Sequence, residues 1–133
     1  MNFFFVYLIA LIFFGVLDYL WLGLSGNARN YYLPMHRDIQ GSEVEFRMVS
    51  ATIAYLLLAL GVAYFLVDAE KDYCTIILNG IVLGLVVYGV YNGTNHALFK
   101  NFRTDMAIKD TVWGMTVFPL TAVLTKYTIS LLE

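Results

Sequence analysis

The segment most informative about the fold is Tyr88–Gly114, YGVYNGTNHALFKNFRTDMAIKDTVWG. It joins the end of one apolar segment to the beginning of the next. Polar side chains stand at both of these segment ends, namely Asn92, Asn95, His96 and Asp110. Ionisable and polar groups are costly inside a bilayer, so they face a bundle interior or a water-filled cavity and often mark a functional site. The stretch therefore predicts two membrane spans that share a polar site.

Composition indicates that lipid, rather than water, surrounds most of the chain. Hydrophobic residues make up 60% of the 133 residues and charged residues only 14%, against about 25% in ordinary soluble domains. The mean hydropathy is +0.71. The formal net charge is −2 and no basic run occurs, so nucleic acid is not an expected partner. The single cysteine, Cys74, excludes an internal disulfide and a multi-cysteine metal site.

Four apolar segments are each long enough to cross a bilayer core of about 30 Å. We predict helices over 3–24, 46–67, 73–99 and 106–131, in one four-helix, all-α transmembrane domain that spans residues 1–133. The first segment is not expected to be a cleaved signal peptide, because it lacks a basic n-region and its apolar run exceeds about 15 residues. The sequence therefore predicts an integral, multi-pass membrane protein whose main partner is the lipid bilayer.

The longest polar connection, residues 25–46, precedes the second span. Pro34 is expected to interrupt any continuous helix in this connection. Ser42 and Glu45 have the spacing of a capping box, in which the two residues satisfy each other's backbone N–H groups. This spacing predicts that the second helix begins near Glu43.

The third and fourth spans carry signals of close packing and of helix ends. Gly80 and Gly84 form a GxxxG spacing, which allows another helix to approach closely. Thr104 is expected to cap the last helix, and Asp105 to stabilise its first turn. Pro119 is expected to kink this helix within the membrane.

The distribution of basic residues predicts the topology. Six basic residues lie on or beside the first and third connections, namely Arg29, Arg37, Arg47, Lys100, Arg103 and Lys109, and two on the other side, Lys71 and Lys126. Cytoplasmic loops carry an excess of Lys and Arg, so these two connections are expected in the cytoplasm and both termini on the non-cytoplasmic side. In this topology, the polar ends of the first, third and fourth spans lie at a similar depth in the cytoplasmic half of the bilayer.

A buried polar cluster follows from this topology. Asp18 lies about two thirds along the first span, where a carboxyl group costs about 2.5–3.5 kcal/mol on insertion scales, so it is expected to face other helices. On the third span, Tyr88, Asn92, Asn95 and His96 fall within an arc of about 100°. We predict that these five residues and Asp110 form an intramembrane ligand or ion site, flanked by the aromatic residues Trp21 and Trp113.

The same residues carry a resemblance to a known family. The strings are DYLWL at Asp18–Leu22, YGVYNGTNHA at Tyr88–Ala97 and KDTVWG at Lys109–Gly114. In these strings, and in their order and spacing, the chain resembles the small membrane proteins of the DUF2177 family. The resemblance covers nearly the whole chain and implies a four-helix membrane protein, without an activity. One difference is Asn92, where the family pattern has an aspartate.

Several functions fit the predicted cluster. The first is binding or conduction of a proton, a cation or a small solute, with Asp18 and Asp110 as the charged groups and His96 as a switch near neutral pH. Because four helices rarely enclose a pathway alone, this function predicts a homo-oligomer. The second is a membrane-embedded enzyme that acts on a lipid or isoprenoid, with His96 and a carboxylate as acid and base. The third is a non-catalytic accessory or assembly subunit. The cluster can also be purely structural, holding the helices together.

The sequence favours the first of these functions, because the polar groups line helix faces and form no catalytic motif. There is no HExxH string, no nucleophile–His–Asp arrangement and no Gly-rich phosphate loop. His36 and His96 with two carboxylates have no spacing that specifies a metal site. We therefore assign no catalytic residue and no metal site; the sequence does not identify a cofactor, and it favours a non-enzymatic function without excluding an enzyme.

Overall fold

The structure is a computed structural model that describes residues 2–133. These residues form five α-helices, which are α1 (Phe3–Tyr19), α2 (Leu33–Gln40), α3 (Met48–Gly61), α4 (Tyr73–Leu98) and α5 (Thr104–Leu132). Wider π-helical turns extend α1 over Leu20–Leu24 and α3 over Val62–Leu66, and another precedes α2 at Ala28–Tyr32. Between Asn2 and Glu133 there is no β-strand.

Four of the helical segments are long and apolar enough to cross a membrane. They are Phe3–Leu24, Met48–Leu66, Tyr73–Leu98 and Thr104–Leu132, of 22, 19, 26 and 29 residues. At about 1.5 Å per residue, even the shortest extends over roughly 28 Å, which is close to the thickness of a bilayer core. The prediction of an all-α protein with four membrane spans is confirmed.

The connection between the first two spans is largely helical, which corrects the expectation that Pro34 breaks it. Pro34 is the second residue of α2, which follows directly after the π-helical turn Ala28–Tyr32, and the helical backbone continues through it. Gly41 ends α2 in the left-handed conformation with φ 75°, which glycine adopts without a steric penalty. Met35 on α2 packs against Phe102 and Met106, so α2 covers the start of α5.

The predicted capping box is wrong. The second span begins at Met48, after extended Arg47, and no side chain caps it. Ser42 instead accepts from the Gln40 side chain, whose Nε2 also donates to the Glu43 carbonyl at 2.7 Å. These contacts fold the chain back onto the end of α2, so the helix starts later.

The predicted cap of the last helix is also corrected. Thr104 is the first helical residue and Arg103 occupies the cap position. Asp105 lies in the first turn, as expected, and pairs with the Arg103 guanidinium at 2.6 Å.

An apolar core fills the half of the bundle that contains the beginning of α1 and the end of α5. Its fully buried members include Phe14, Leu66, Ile76, Val117 and Phe118. The rings of Phe14 and Phe118 meet edge to face, with centroids 5.5 Å apart, a favourable geometry for aromatic pairs. This core leaves the other half of the bundle for the polar residues.

Helices α4 and α5 touch backbone to backbone. A Cβ atom on Gly84 would lie 2.0 Å from the carbonyl oxygen of Gly114, and one on Gly80 would lie 2.5 Å from Cα of Pro119. A Cβ atom on Gly114 would lie 2.3 Å from Cγ of Tyr88. The glycines therefore allow α4 and α5 of the same chain to approach closely, as the GxxxG spacing indicated.

We expect Gly84→Ala to destabilise the protein, because its methyl group would overlap the Gly114 carbonyl. Overpacking of this kind costs about 1–3 kcal/mol. The thermal unfolding midpoint in detergent measures the loss. Gly15→Ala is the matched control, since a Cβ at Gly15 meets nothing within 4 Å and both changes raise helix propensity equally. Equal midpoints for the two variants would contradict the contact.

The predicted topology can be tested with the single cysteine. Cys74 is exposed at the start of α4, beside the second connection, which is expected on the non-cytoplasmic side. A membrane-impermeant maleimide should therefore label Cys74 on intact cells. In a Cys74→Ser, Ser42→Cys variant, labelling should need permeabilisation, because residue 42 lies in the first connection. The reverse pattern would invert the topology.

Candidate functional site

Asp18 faces the interior of the bundle. Helix α1 buries every fourth residue, Val6, Ala10, Phe14 and Asp18, on a single stripe, and Asp18 is only 7% exposed. Its Oδ1 accepts a hydrogen bond from Trp113 Nε1 at 2.8 Å, and its Oδ2 accepts one from the Tyr55 hydroxyl. Asp18 therefore joins the first, second and fourth spans, as expected for a carboxyl group that cannot face acyl chains.

Asp110 is the second buried carboxyl group, and it is 9% exposed. Its Oδ1 accepts from the Tyr32 hydroxyl at 2.7 Å, and its Oδ2 accepts from Asn92 Nδ2, also at 2.7 Å. Asn92 Nδ2 donates to the Tyr88 carbonyl as well, at 2.8 Å. These bonds tie α5 to α4 and to the turn that precedes α2.

Two stacked indole rings connect the two carboxyl groups. The ring centroids of Trp21 and Trp113 are 4.6 Å apart, and the ring planes are 4° from parallel. Trp113 donates to Asp18, while Trp21 Nε1 donates to the Tyr32 hydroxyl at 3.1 Å, which in turn donates to Asp110. The polar residues thus form one continuous network, which we call the carboxylate network.

This network surrounds a cavity of about 160 Å³, which we call the carboxylate cavity. The residues around it come from α1, α2, α4, α5 and their connections, and include Asp18, Trp21, Tyr32, Met35, His36, Tyr88, Tyr91, Asn92, Phe102, Asp110 and Trp113. An engineered cavity of about 150 Å³ holds a benzene molecule. The carboxylate cavity therefore has room for a small organic group.

Both carboxyl groups receive hydrogen bonds from neutral donors only. Lys109 is adjacent to Asp110 in sequence but turns away from it, since Nζ donates to Asn27 Oδ1 at 2.8 Å and lies 3.8 Å from the centroid of the Tyr31 ring. Within residues 2–133, ion pairs lie elsewhere, at Arg37–Glu43, Lys71–Asp68 and Arg103–Asp105. His36 is the basic side chain among the residues that line the cavity, and Lys109 Nζ lies 5.4 Å from the centroid of the Trp21 ring.

Tyr32 is held as a neutral donor. Burial, together with the nearby charge of Asp110, raises the pKa of its phenol well above the usual value. The hydroxyl group therefore keeps its proton at physiological pH and donates a hydrogen bond to Asp110. The carbonyl of the same residue lies 2.7 Å from His36 Nδ1, which fixes the imidazole at the edge of the cavity.

The predicted site residues separate into two groups. Six of them line the carboxylate cavity, namely Asp18, Trp21, Tyr88, Asn92, Asp110 and Trp113. Asn95 and His96 do not line it. Asn95 donates to the Tyr91 carbonyl at 2.8 Å, and exposed His96 lies with Nε2 2.9 Å from the Thr104 hydroxyl. His96 lies one turn beyond Asn92 and about 80° around the helix from Tyr88, and its ring lies beside Thr104.

Three residues whose side-chain oxygen or nitrogen atoms form hydrogen bonds at the cavity or network were not predicted as site residues. The first is Tyr55; a hydroxyl group in a charge-free span needs a partner, and this could have identified it. Tyr32 and His36 lie in the first connection, where the sequence predicted no helix. No periodicity indicated which of its side chains would face the bundle.

Comparison with known proteins identifies one family. A family model described as "Predicted membrane protein (DUF2177)" matches residues 3–127. No curated protein and no solved structure matches the chain.

We expect Trp113→Phe to destabilise the protein more than Trp21→Phe. Both variants lose an indole from the stacked pair, but only the first removes a donor to a carboxylate. A hydrogen bond to a charged group contributes about 1.5–3 kcal/mol, against about 0.5–1.5 kcal/mol between neutral groups. Unfolding midpoints in mixed detergent–SDS micelles, followed by circular dichroism, compare the two. An equal loss would indicate that Asp18 is uncharged.

Proposed function

The chain belongs to the DUF2177 family of predicted membrane proteins, and we propose that it binds a small cation or a proton in the carboxylate cavity. One observation carries the proposal. Two buried carboxyl groups, Asp18 and Asp110, line one cavity and are hydrogen-bonded only to neutral donors. A buried negative charge without a cationic partner is strongly unfavourable. A bound cation or proton supplies the missing positive charge.

The chemistry of the lining favours an ammonium group over a bare metal ion. Aromatic rings surround the carboxyl groups, among them Trp21, Tyr32, Tyr88 and Trp113. Aromatic faces attract organic cations and are a recurrent feature of sites for ammonium groups. Within residues 2–133, no group of three or more His, Cys, Asp or Glu side chains is placed to hold a metal ion. The volume of about 160 Å³ suits an ammonium group with a few carbon atoms.

Binding is better supported than conduction by a single copy. Beyond the cavity, the bundle is filled by fully buried apolar side chains such as Phe14, Val117 and Phe118. Thr121 and Thr125 are buried on α5, but the Thr125 hydroxyl donates to the Thr121 carbonyl at 2.7 Å. Neither threonine lines the carboxylate cavity. Conduction would require the homo-oligomer that the sequence analysis proposed.

The lipid enzyme is the weaker candidate. Its acid–base pair required His96, which is exposed, hydrogen-bonds Thr104 and does not line the cavity. His36 is the imidazole at the cavity, and it is held by the Tyr32 carbonyl. The acid–base pair that the sequence suggested therefore does not meet at the cavity.

Tryptophan fluorescence can test the proposal directly, because both tryptophans of the chain line the cavity. Methylammonium added to the protein in phosphatidylcholine nanodiscs should produce a saturable change. Asp110→Asn keeps the shape of the side chain but removes its charge, so it should weaken binding by at least about tenfold. Lower pH should also weaken binding, because protonated carboxyl groups no longer attract a cation.

Asp105→Asn is the matched control. Asp105 lies on the same helix but is exposed and pairs with Arg103, so its change should leave the methylammonium midpoint within about twofold. A wild-type protein without a saturable response, or an Asp110→Asn variant with unchanged affinity, would refute the proposed function.

A further inference from the structure

An apolar groove of about 560 Å³ opens between the second span and α4. Its sides include Leu57, Gly61 and Phe65 from the second span and Leu83 and Val87 from α4, with Phe118 at its base. The two spans approach each other through the turn Val62–Leu66, next to the short connection that joins them. From there they enclose a space that the side chains of this chain leave open.

The groove faces the acyl chains of the bilayer. Leu57 is 61% exposed and Phe65 is 59% exposed, and both lie within a membrane span. Its exposed lining is almost entirely apolar, so a hydrocarbon chain can leave the bilayer and enter it without desolvating a polar group. The volume lies within the range of about 300–1,000 Å³ found for small-ligand sites.

The inner end of the groove is a carboxyl group. Asp110, Tyr88 and Tyr91 line both the groove and the carboxylate cavity. The groove and the carboxylate cavity therefore meet at these three side chains, one of which is the carboxyl group that we propose as the cation site. This shared wall, and the carboxyl group in it, specify what kind of molecule fits both spaces at once.

We propose that the ligand of the carboxylate cavity is a single-chain amphiphile with an ammonium headgroup, which enters sideways from the bilayer. The ammonium group lies in the carboxylate cavity beside Asp110, and the hydrocarbon chain lies in the groove. This inference rests on the proposed cation binding and assigns its substrate class. Lipid tails are as apolar as the groove, so the chain itself gains little free energy there. Selectivity therefore comes from the charge of the headgroup.

Hexadecylamine is the probe for this inference. In phosphatidylcholine nanodiscs, it should change the fluorescence of Trp21 and Trp113 saturably, whereas hexadecanol and hexadecanoate, with the same chain, should not. The comparison isolates headgroup charge, because the three molecules enter the bilayer through the same hydrocarbon chain.

Gly61→Leu fills the groove and leaves the cavity intact. A Cβ atom at Gly61 meets Phe118 Cε1 at 3.8 Å, an ordinary contact, and the rest of the new side chain would occupy the groove that Gly61 lines. It should weaken hexadecylamine binding by at least about tenfold and leave the methylammonium midpoint unchanged. Gly15→Leu, where a Cβ meets nothing within 4 Å, makes the same change outside the groove and should bind both amines as the wild type does.

The outcomes separate this inference from the proposed function. If methylammonium binds but hexadecylamine does not, or if hexadecylamine binds Gly61→Leu as well as the wild type, the groove is not the route. If hexadecanol or hexadecanoate changes the tryptophan fluorescence as the amine does, an ordinary lipid chain occupies the groove.

If Gly61→Leu converts a dimer to a monomer in size-exclusion chromatography, a second copy of the chain occupies the groove. Each of these overturns the groove assignment alone, whereas failure of both amines overturns the cation site as well.

Discussion

The burial of two carboxyl groups in a membrane protein is the constraint on which the polar half of this structure depends. Asp18 and Asp110 cannot face acyl chains, so each is surrounded by donors from other parts of the chain. The indole pair Trp21–Trp113 then links the two sets of donors into one network. The hydrogen bonds that satisfy these two buried carboxyl groups thus connect all four spans and the connection that contains α2.

The glycine contacts between α4 and α5 make this network possible. Gly84 and Gly114 let the two backbones touch, which brings Asn92 on α4 within 2.7 Å of the Asp110 carboxyl group. The bundle is consequently asymmetric. These two helices are in close contact, whereas the second span approaches α4 mainly through the turn Val62–Leu66. The close pair positions the carboxylate cavity, and the looser pair leaves the groove that reaches it.

The sequence was sufficient to predict the fold class, the four spans and six of the residues that line the carboxylate cavity. Apolar segments longer than about 18 residues specify membrane spans through the solvation of the backbone and need no tertiary information. The cost of exposing a carboxyl group to acyl chains likewise predicted that Asp18 faces the interior of the bundle. It also selected Tyr88, Asn92, Asp110, Trp21 and Trp113, which are polar or amphipathic residues at the ends of spans. These residues all line the cavity.

Which polar side chains contact one another depends on how the helices pack. Helical periodicity grouped His96 with Asn92, but the contact stripe rotates along α4, and His96 lies outside the cavity beside Thr104. Tyr32 and His36 join the site because α2 packs Met35 onto the start of α5, a contact that leaves no periodic signal in a short polar connection. Tyr55 belongs to the network because its hydroxyl group, on α3, donates a hydrogen bond to Asp18 on α1. Spans are specified locally by the bilayer, whereas hydrogen-bond partners depend on how helices cross and rotate, which the packing of the whole chain sets.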